Sequence, residues 1–364
     1  MRKDSVTTVP QLFGMLFISR MVVNITYNPY MSSNGDLTDH LLSAILSYFL
    51  TFLLVIPVYL LYRRRKEMTL ADYSYFLFGN YAAGVILIYV VYYLLVSCYT
   101  LSLFDTFITN VMSPKVPIWA LSIAVIITAC YGAWKGIEAL ARASGVILVI
   151  ICISMIFLAC ALLPEVETVN FTPFLYDGPK NMITGVCFMI SRTSCISVLA
   201  MLLPFVKGSV KKGILAWNTS VHFVIFLMLF IIIGSLGDYL KTQVFPIYAA
   251  TSIAEIGMFK RLDALFLGIW TTGLFAKMAL FLYLISLCIQ RIWGRKAGRW
   301  SIAVGGAVVV IGSVVLSESR ALSQIIYDWR VLLPITLLVS LVIPIILLII
   351  DSIKRRTGRE ESHA

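Results

Sequence analysis

The feature that most constrains this chain is a series of apolar runs, each about twenty residues long, that recurs from one end to the other. A helix of about twenty residues crosses the ~30 Å hydrocarbon core of a bilayer. Backbone polar groups in lipid must bond internally, so such runs predict helices and an all-α polytopic membrane protein. Ten transmembrane helices are predicted, at 10–31, 41–62, 82–108, 117–133, 144–163, 182–204, 214–236, 262–290, 300–317 and 331–350.

The connections between these runs are too short to fold alone, so residues 1–364 are predicted to form a single transmembrane domain. Most of the 29 lysines and arginines lie in alternate connections. By the positive-inside rule, both termini are then cytoplasmic. The net charge of +11 reflects this topology and contact with the lipid bilayer, whose anionic headgroups attract basic segments. Because the charge is divided among short loops, we expect no nucleic-acid site.

The residues that usually carry cofactor or enzyme chemistry form no recognisable set. The seven cysteines lie within or at the edges of apolar spans, without a CxxC pair or a histidine at metal-ligand spacing. We interpret them as small apolar packing residues. The spans contain no HExxH, GxSxG or paired acids. The sequence therefore predicts no metal or cofactor and favours a protein that is not an enzyme.

Two arginines interrupt the apolar runs at matching depth. Arg20, in "FISR", and Arg192, in "MISR", are each the eleventh residue of their predicted span. The first span runs outward and the sixth runs inward, which divides the chain into repeats of opposite topology at about 10–163 and 182–350, followed by a cytoplasmic tail at 351–364. This pattern predicts a 5+5 inverted repeat of the LeuT-like kind, with broken helices 1 and 6 forming a ligand site near the midplane.

An arginine at a span centre costs roughly 2.5–3.5 kcal/mol on insertion scales, so both are expected to face a cavity or the bundle interior. The polar residues beside them can bond backbone groups that a broken helix frees. Such groups bind a carboxylate and an ammonium, as a free amino acid requires. The alternative is structural, with arginines bonding carbonyls and serines bonding back within an unbroken helix. The ligand contacts expected here are Arg20, Asn24, Thr26, Ser191, Arg192 and Thr193.

Three further polar residues in the spans have competing interpretations. Lys277, in the middle of span eight, could take the place of a coupling ion, contact the ligand or act as a structural tether. Ser97, in the middle of span three, either faces the same cavity or bonds within its helix. Asp105 is predicted to cap the outer end of span three. The polar segment 237–261 is too short to span and is predicted to lie over the outer mouth.

The stretch "FPIYAATSIAEIGMFKRLDALFLGIWTTGLFAKMALFLY" (Phe245–Tyr283) resembles the B subunit of spore nutrient-germinant receptors. "ARASGVILVI", "NFTPFLYDGPKNMITG" and "LLPFVKGSVKKG" extend this resemblance to GerAB-type spore germination proteins of the amino acid–polyamine–organocation superfamily over essentially the whole chain. The resemblance implies a receptor subunit in the spore inner membrane that binds a small-molecule nutrient, commonly an amino acid, beside A and C subunits. An amino-acid permease of the same superfamily is the alternative, because one fold hosts both activities.

Overall fold

The computed structural model describes residues 7–28, 37–112, 115–172, 178–256, 259–260 and 262–360. Within them the α-helices are α1 (Val9–Asn24), α2 (Asp39–Arg64), α3 (Leu70–Phe78), α4 (Ala82–Phe107), α5 (Ile118–Lys135), α6 (Ile137–Leu162), α7 (Lys180–Ser191), α8 (Cys195–Leu202), α9 (Val210–Leu236), α10 (Pro246–Ile253), α11 (Asp263–Glu318), α12 (Arg320–Tyr327), α13 (Trp329–Leu337) and α14 (Ile343–Glu360). The short strands are β1 (Thr7–Thr8), β2 (Val206–Lys207), β3 (Glu255–Ile256) and β4 (Phe259–Lys260).

Eight helical segments of the described chain are long and apolar enough to cross a bilayer, and α1 is a shorter apolar helix. This confirms an all-α multi-pass membrane protein. The number of ten crossings stays a prediction. The eight segments are Asp39–Arg64, Leu70–Met112, Ile118–Lys135, Ile137–Glu165, Lys180–Phe205, Val210–Thr242, Asp263–Glu318 and Trp329–Arg355.

The 56-residue α11 is two antiparallel arms that meet at Gly294. Gly294 has φ 87° and ψ 176°, a conformation that only glycine adopts readily. The Ser286 hydroxyl donates to the carbonyl of Gly298 at 2.5 Å, although residues twelve apart in a straight helix are about 18 Å apart. The reversal matches the boundary predicted between the spans 262–290 and 300–317.

The predicted first and sixth spans run antiparallel. β1, which precedes α1, pairs with β2, which follows α8, so the start of the first span lies beside the end of the sixth. At mid-length, the Arg20 guanidinium reaches the backbone of Met189 in α7. Opposite directions for corresponding spans are what an inverted repeat requires. The limits given for the two repeats and the tail stay predictions, and residues 361–364 of the tail lie outside the described residues.

The sixth span is broken, as predicted. α7 ends at Ser191, α8 begins at Cys195, and Arg192 between them has φ −100° and ψ 9°. The first span is interrupted after its arginine, because α1 continues through Arg20 and ends at Asn24. No glycine or proline lies between Met15 and Asn24 to open the helix. The interruption of this span is therefore the helix end at Asn24, and residues 29–36 lie outside the described chain.

Three of the basic connections meet at one end of the bundle. Asp351 of α14 is buried and pairs with Arg64 of α2 at 2.9 Å and with Arg355 at 3.0 Å. Arg291 pairs with Asp72 of α3 at 2.8 Å. These contacts place the basic clusters that follow the second and eighth predicted spans at the same end of the bundle as the basic cluster that follows the tenth predicted span. That grouping is the charge segregation on which the predicted orientation rests.

The segment predicted to lie over the mouth folds as a 3₁₀ turn, Gly237–Thr242, followed by α10. An aromatic cluster holds α10 against α4 and α11. Its tightest contact is between Phe107 and Trp270, whose ring centroids are 4.8 Å apart. Residues 257–258 and 261, within the stretch that carries the resemblance, lie outside the described chain.

Candidate ligand site

One face of α1 and the turn after it lines a small cavity beside the break in the sixth span. The lining residues on this face follow helical spacing and are Arg20, Val23, Asn24 and Tyr27. The opposite walls come from α7, α9, α10 and the break, through Met189, Arg192, Ile225, Met228, Leu229, Ile232 and Ile247. The volume that the centre of a water molecule can occupy in this cavity is about 20 Å³, which is room for about one water molecule. A larger ligand requires these helices to separate.

Arg20 is the most buried cation of this cavity, with 3% of its surface exposed. Its Nη2 donates to the carbonyl oxygen of Met189 at 2.9 Å, and its Nη1 has no hydrogen-bond partner. Among the described residues, no carboxylate forms an ion pair with it. A buried charge that is only partly hydrogen-bonded is costly, so this group is available to a ligand acceptor.

Asn24 and Tyr27 extend this polar face by one and two helical turns. Asn24 is buried and its Nδ2 has no hydrogen-bond partner within the described chain. The Tyr27 hydroxyl is hydrogen-bonded to Nδ1 of His40 at 3.0 Å. The Tyr27 ring meets Phe188 of α7 edge-on, at 5.1 Å between centroids. Sequence reasoning missed Tyr27, although its helical spacing from Arg20 would have identified it.

Arg192 joins the broken span to the last one. Its Nη2 donates to the carbonyl of Tyr327 at 2.7 Å, and its Nη1 donates to the Ser191 hydroxyl at 3.3 Å. The guanidinium also lies 3.6 Å above the ring centroid of Phe188. Arg192 is half-buried and lines the cavity while bonding a carbonyl, so both sequence interpretations of this arginine describe part of its surroundings.

The break at Arg192 is held by hydroxyl groups from two other helices. The Thr336 hydroxyl of α13 donates to the carbonyl of Ser191 at 2.7 Å. The Tyr93 hydroxyl of α4 donates to the carbonyl of Ser197 at 3.0 Å. The end of α7 frees the carbonyl of Ser191, which must find a donor in an apolar setting and finds it in Thr336. The bond from Tyr93 anchors the first turn of α8 just after the break.

Four predicted site residues donate their hydroxyl hydrogens to nearby backbone within the same segment. Thr26 donates to Val23 at 2.8 Å and Ser97 to Tyr93 at 2.7 Å. The hydroxyls of the other two, Ser191 and Thr193, donate to Phe188 at 2.7 Å and to Met189 at 3.0 Å. None of the four lines the cavity among the described residues, so their contact with a ligand stays a prediction.

Lys277 lies close to this site without forming its wall. It is 1% exposed, its Nζ has no hydrogen-bond partner among the described residues, and it lies 5.3 Å from the ring centroid of Phe281. It is near enough to Arg20 and Cys195 to interact electrostatically with both. The Cys195 thiol donates to the carbonyl of Leu16 at 3.4 Å, so α8 and α1 pack tightly beside the lysine.

Asp105 is not the interfacial cap that the sequence suggested. The residue is fully buried, and its Oδ2 accepts from the Ser122 hydroxyl of α5 at 2.6 Å. One turn earlier, Ser102 shares a 2.5 Å hydrogen bond with the hydroxyl of Tyr327. Burial raises the pKa of Tyr327 to about 12, so this hydroxyl stays protonated at neutral pH. Polar contacts therefore link the region of Asp105, through Ser102 and Tyr327, to the carbonyl that accepts from Arg192.

An apolar groove lies against the cavity between α1, α6, α9 and α11. The volume that the centre of a water molecule can occupy in this groove is about 460 Å³, and almost all of the lining atoms are carbon and sulfur. Met228, Ile232 and Ile247 line both the groove and the cavity. A wall of three apolar side chains thus separates the buried donors from the groove.

Comparisons with known proteins agree with this architecture. The chain is similar in fold to a solved structure described as "Substrate-bound outward-open state of a Na+-coupled sialic acid symporter reveals a novel Na+-site", with a TM-score of 0.61 and 13% sequence identity. The match covers 91% of this chain and 79% of that one. The fold is therefore a LeuT-like one.

Residues 7–321 match the sequence profile of the family described as "Spore germination protein". The chain belongs to the spore germination protein family. It is accordingly a membrane receptor or transporter rather than an enzyme. No curated protein matches the chain in sequence.

Proposed function

We propose that the chain is the B subunit of a nutrient germinant receptor. It binds a small nutrient, with an amino acid as the first candidate, between α1 and the break in the sixth span. The observation that carries this proposal is a pair of buried donors without partners, Arg20 Nη1 and Asn24 Nδ2, on the wall of one cavity. Buried donors are nearly always satisfied, so two that share a cavity favour a ligand with acceptor oxygens.

Arg20, Asn24 and Arg192 are the proposed direct contacts. The remaining proposed contacts act through the broken backbone or from the periphery: Thr26, Ser97, Ser191, Thr193 and Lys277. Support for the backbone role comes from the short non-helical stretch between Ser191 and Cys195.

Signalling would follow from the small size of the cavity. A nutrient larger than a water fits only after α9 and α10 move away from α1 and α7, so it binds the open and closed states unequally. A ligand shifts such an equilibrium by the difference in its affinity for the two states. Moving it from 1:99 to 99:1 takes about 5.5 kcal/mol. A and C subunits beside the chain in the spore inner membrane would read the shift, and both termini would be cytoplasmic.

The second candidate is an amino-acid permease of the same superfamily. The similarity in fold to a symporter favours it, since the same helices could open to either side of the membrane. A permease must release its ligand on the far side in every cycle. A receptor needs only two states with different affinities.

The test combines spores with purified protein. Deleting the gene should abolish the response of spores to at least one nutrient. The purified chain in liposomes should bind that nutrient without accumulating it. Saturable, concentrative uptake by the chain alone would overturn the receptor assignment in favour of the permease. Spores that germinate normally without the gene would overturn the germinant role.

A further inference from the structure

Among the described residues, three cations lie in or beside the cavity, and Asp328 is within electrostatic range of one of them, Arg192. We propose that the ligand of this site is a small organic carboxylate with a net negative charge, rather than a zwitterion with no net charge. This inference rests on the proposed function, because it concerns the ligand of the same site.

Arg20 and Lys277 are both almost fully buried, and they lie within electrostatic range of each other. Neither forms an ion pair with a carboxylate among the described residues. Arg192 adds a third positive charge within range of Arg20. Like charges this close in an apolar interior repel each other, and an anion that binds among them relieves this repulsion and favours the charged form of the lysine.

Of the three buried aspartates of the described chain, Asp39 lies at the start of α2, and the other two are engaged elsewhere. Asp105 accepts from Ser122, and Asp351 pairs with Arg64 and Arg355. Asp328, the acid within electrostatic range of Arg192, caps α13 by accepting from the backbone N–H of Arg330 at 2.8 Å. The countercharge for Arg20 and Lys277 is thus not supplied by these acids, and a ligand can supply it.

The acceptors in the cavity wall leave little for an ammonium group. The carbonyl of Met189 accepts from both Arg20 and Thr193. The carbonyl of Val23 accepts from the hydroxyl of Thr26, and the Tyr27 hydroxyl is engaged with His40. Two buried donors at the wall lack partners, Arg20 Nη1 and Asn24 Nδ2, and the one acceptor beside them without a bond within the described chain is the neutral amide oxygen of Asn24. A carboxylate satisfies these donors, whereas an ammonium adds a further positive charge.

The test measures binding of matched anionic and neutral ligands to the purified full-length chain in nanodiscs, by calorimetry. The probes are L-aspartate and L-asparagine, L-glutamate and L-glutamine, succinate and succinamate, with L-alanine as a small zwitterion. At least one anion should bind about tenfold or more tightly than its neutral partner and than L-alanine.

Variants assign the preference to the buried cations. Lys277→Met should reduce the ratio between anion and amide severalfold, whereas Phe223→Leu, an exposed change on α9, should preserve it. Arg20→Lys should weaken binding while keeping the preference for anions. It therefore serves as a second variant if Lys277→Met does not fold.

Two results would overturn the inference in distinguishable ways. If L-asparagine, L-glutamine or L-alanine binds as tightly as the anions and triggers germination, the charge inference fails and the proposed function stands. If no probe binds and none triggers germination, both fail.

Discussion

Arg20 and Met189, 169 residues apart, are joined by one hydrogen bond, in which Nη2 of the arginine donates to the backbone carbonyl at 2.9 Å. That carbonyl also accepts from the hydroxyl of Thr193 at 3.0 Å. The contact ties the first span to the last turn before the break in the sixth. It leaves the other guanidinium nitrogen, Nη1, without a partner at the cavity wall.

Asn24→Ala should impair nutrient response without impairing folding. The Asn24 Nδ2 makes no hydrogen bond in the described chain, so its removal breaks nothing within the protein. A lost hydrogen bond to a charged ligand costs roughly 1.5–3 kcal/mol. We expect at least about a tenfold higher nutrient concentration for half-maximal germination, at an unchanged level of the protein in spore membranes. Phe223→Leu is the control; a fall in protein level with Asn24→Ala alone would indicate a structural role instead.

Thr336→Val should destabilise the protein by about 1–3 kcal/mol, because the near-isosteric change leaves the carbonyl of Ser191 without its donor at the break. Thermal unfolding of the detergent-purified variants measures this. Thr272→Val is the matched control, since that hydroxyl donates to Gly268 within its own helix. Its effect should stay within about 0.5 kcal/mol. Equal losses for the two variants would show that the break does not depend on α13.

Gly273→Ala should also destabilise, for a different reason. A Cβ at Gly273 would lie 2.7 Å from Cγ2 of Val22 in α1, so the two helices must separate. Overpacking of this kind costs about 1–3 kcal/mol. Gly268→Ala, five residues earlier on the same helix, meets no atom within 4 Å and should be neutral or slightly stabilising. The ranking of the two melting temperatures checks this, and the reverse order would contradict the packing of α1 on α11.

The orientation can be tested with single cysteine labels on the exposed residues Lys211 and Asp238, at opposite ends of the region around α9. By the distribution of basic residues, Lys211→Cys should react only from the cytoplasmic side and Asp238→Cys only from outside. A membrane-impermeant maleimide applied to intact cells and to inverted vesicles distinguishes them, with the parent protein as the background. Labelling of both positions from one side would refute the predicted topology.

Much of the architecture could be predicted from sequence because lipid restricts the possible structures. Apolar run length predicts helices, and the equal depth of Arg20 and Arg192 indicates that their spans correspond. The break at Arg192 was predicted because Ser191 and Thr193 can satisfy freed backbone. The end of α1 at Asn24 agrees with the interruption predicted after Arg20. The partner of Arg20 was not predicted, because it lies in the other span and no local pattern shows it.

The composition of the site was harder to predict. Met189 contributes a backbone carbonyl, for which its side chain gives no signal. Ile225, Met228 and Leu229 line the cavity with the same residue types that pack elsewhere in α9. For Ser97, the sequence favours a bond within its own helix over contact with a ligand, and the structure shows that bond.

The most direct test of the account is a cryo-electron microscopy structure of the full chain with a nutrient that triggers germination. We predict density for that nutrient within hydrogen-bond distance of Arg20 Nη1 and Asn24 Nδ2. We also predict that the cavity volume is much larger than the present value of about 20 Å³. Density for the nutrient in the apolar groove, with Arg20 still bonded only to Met189 and the cavity unchanged, would contradict it.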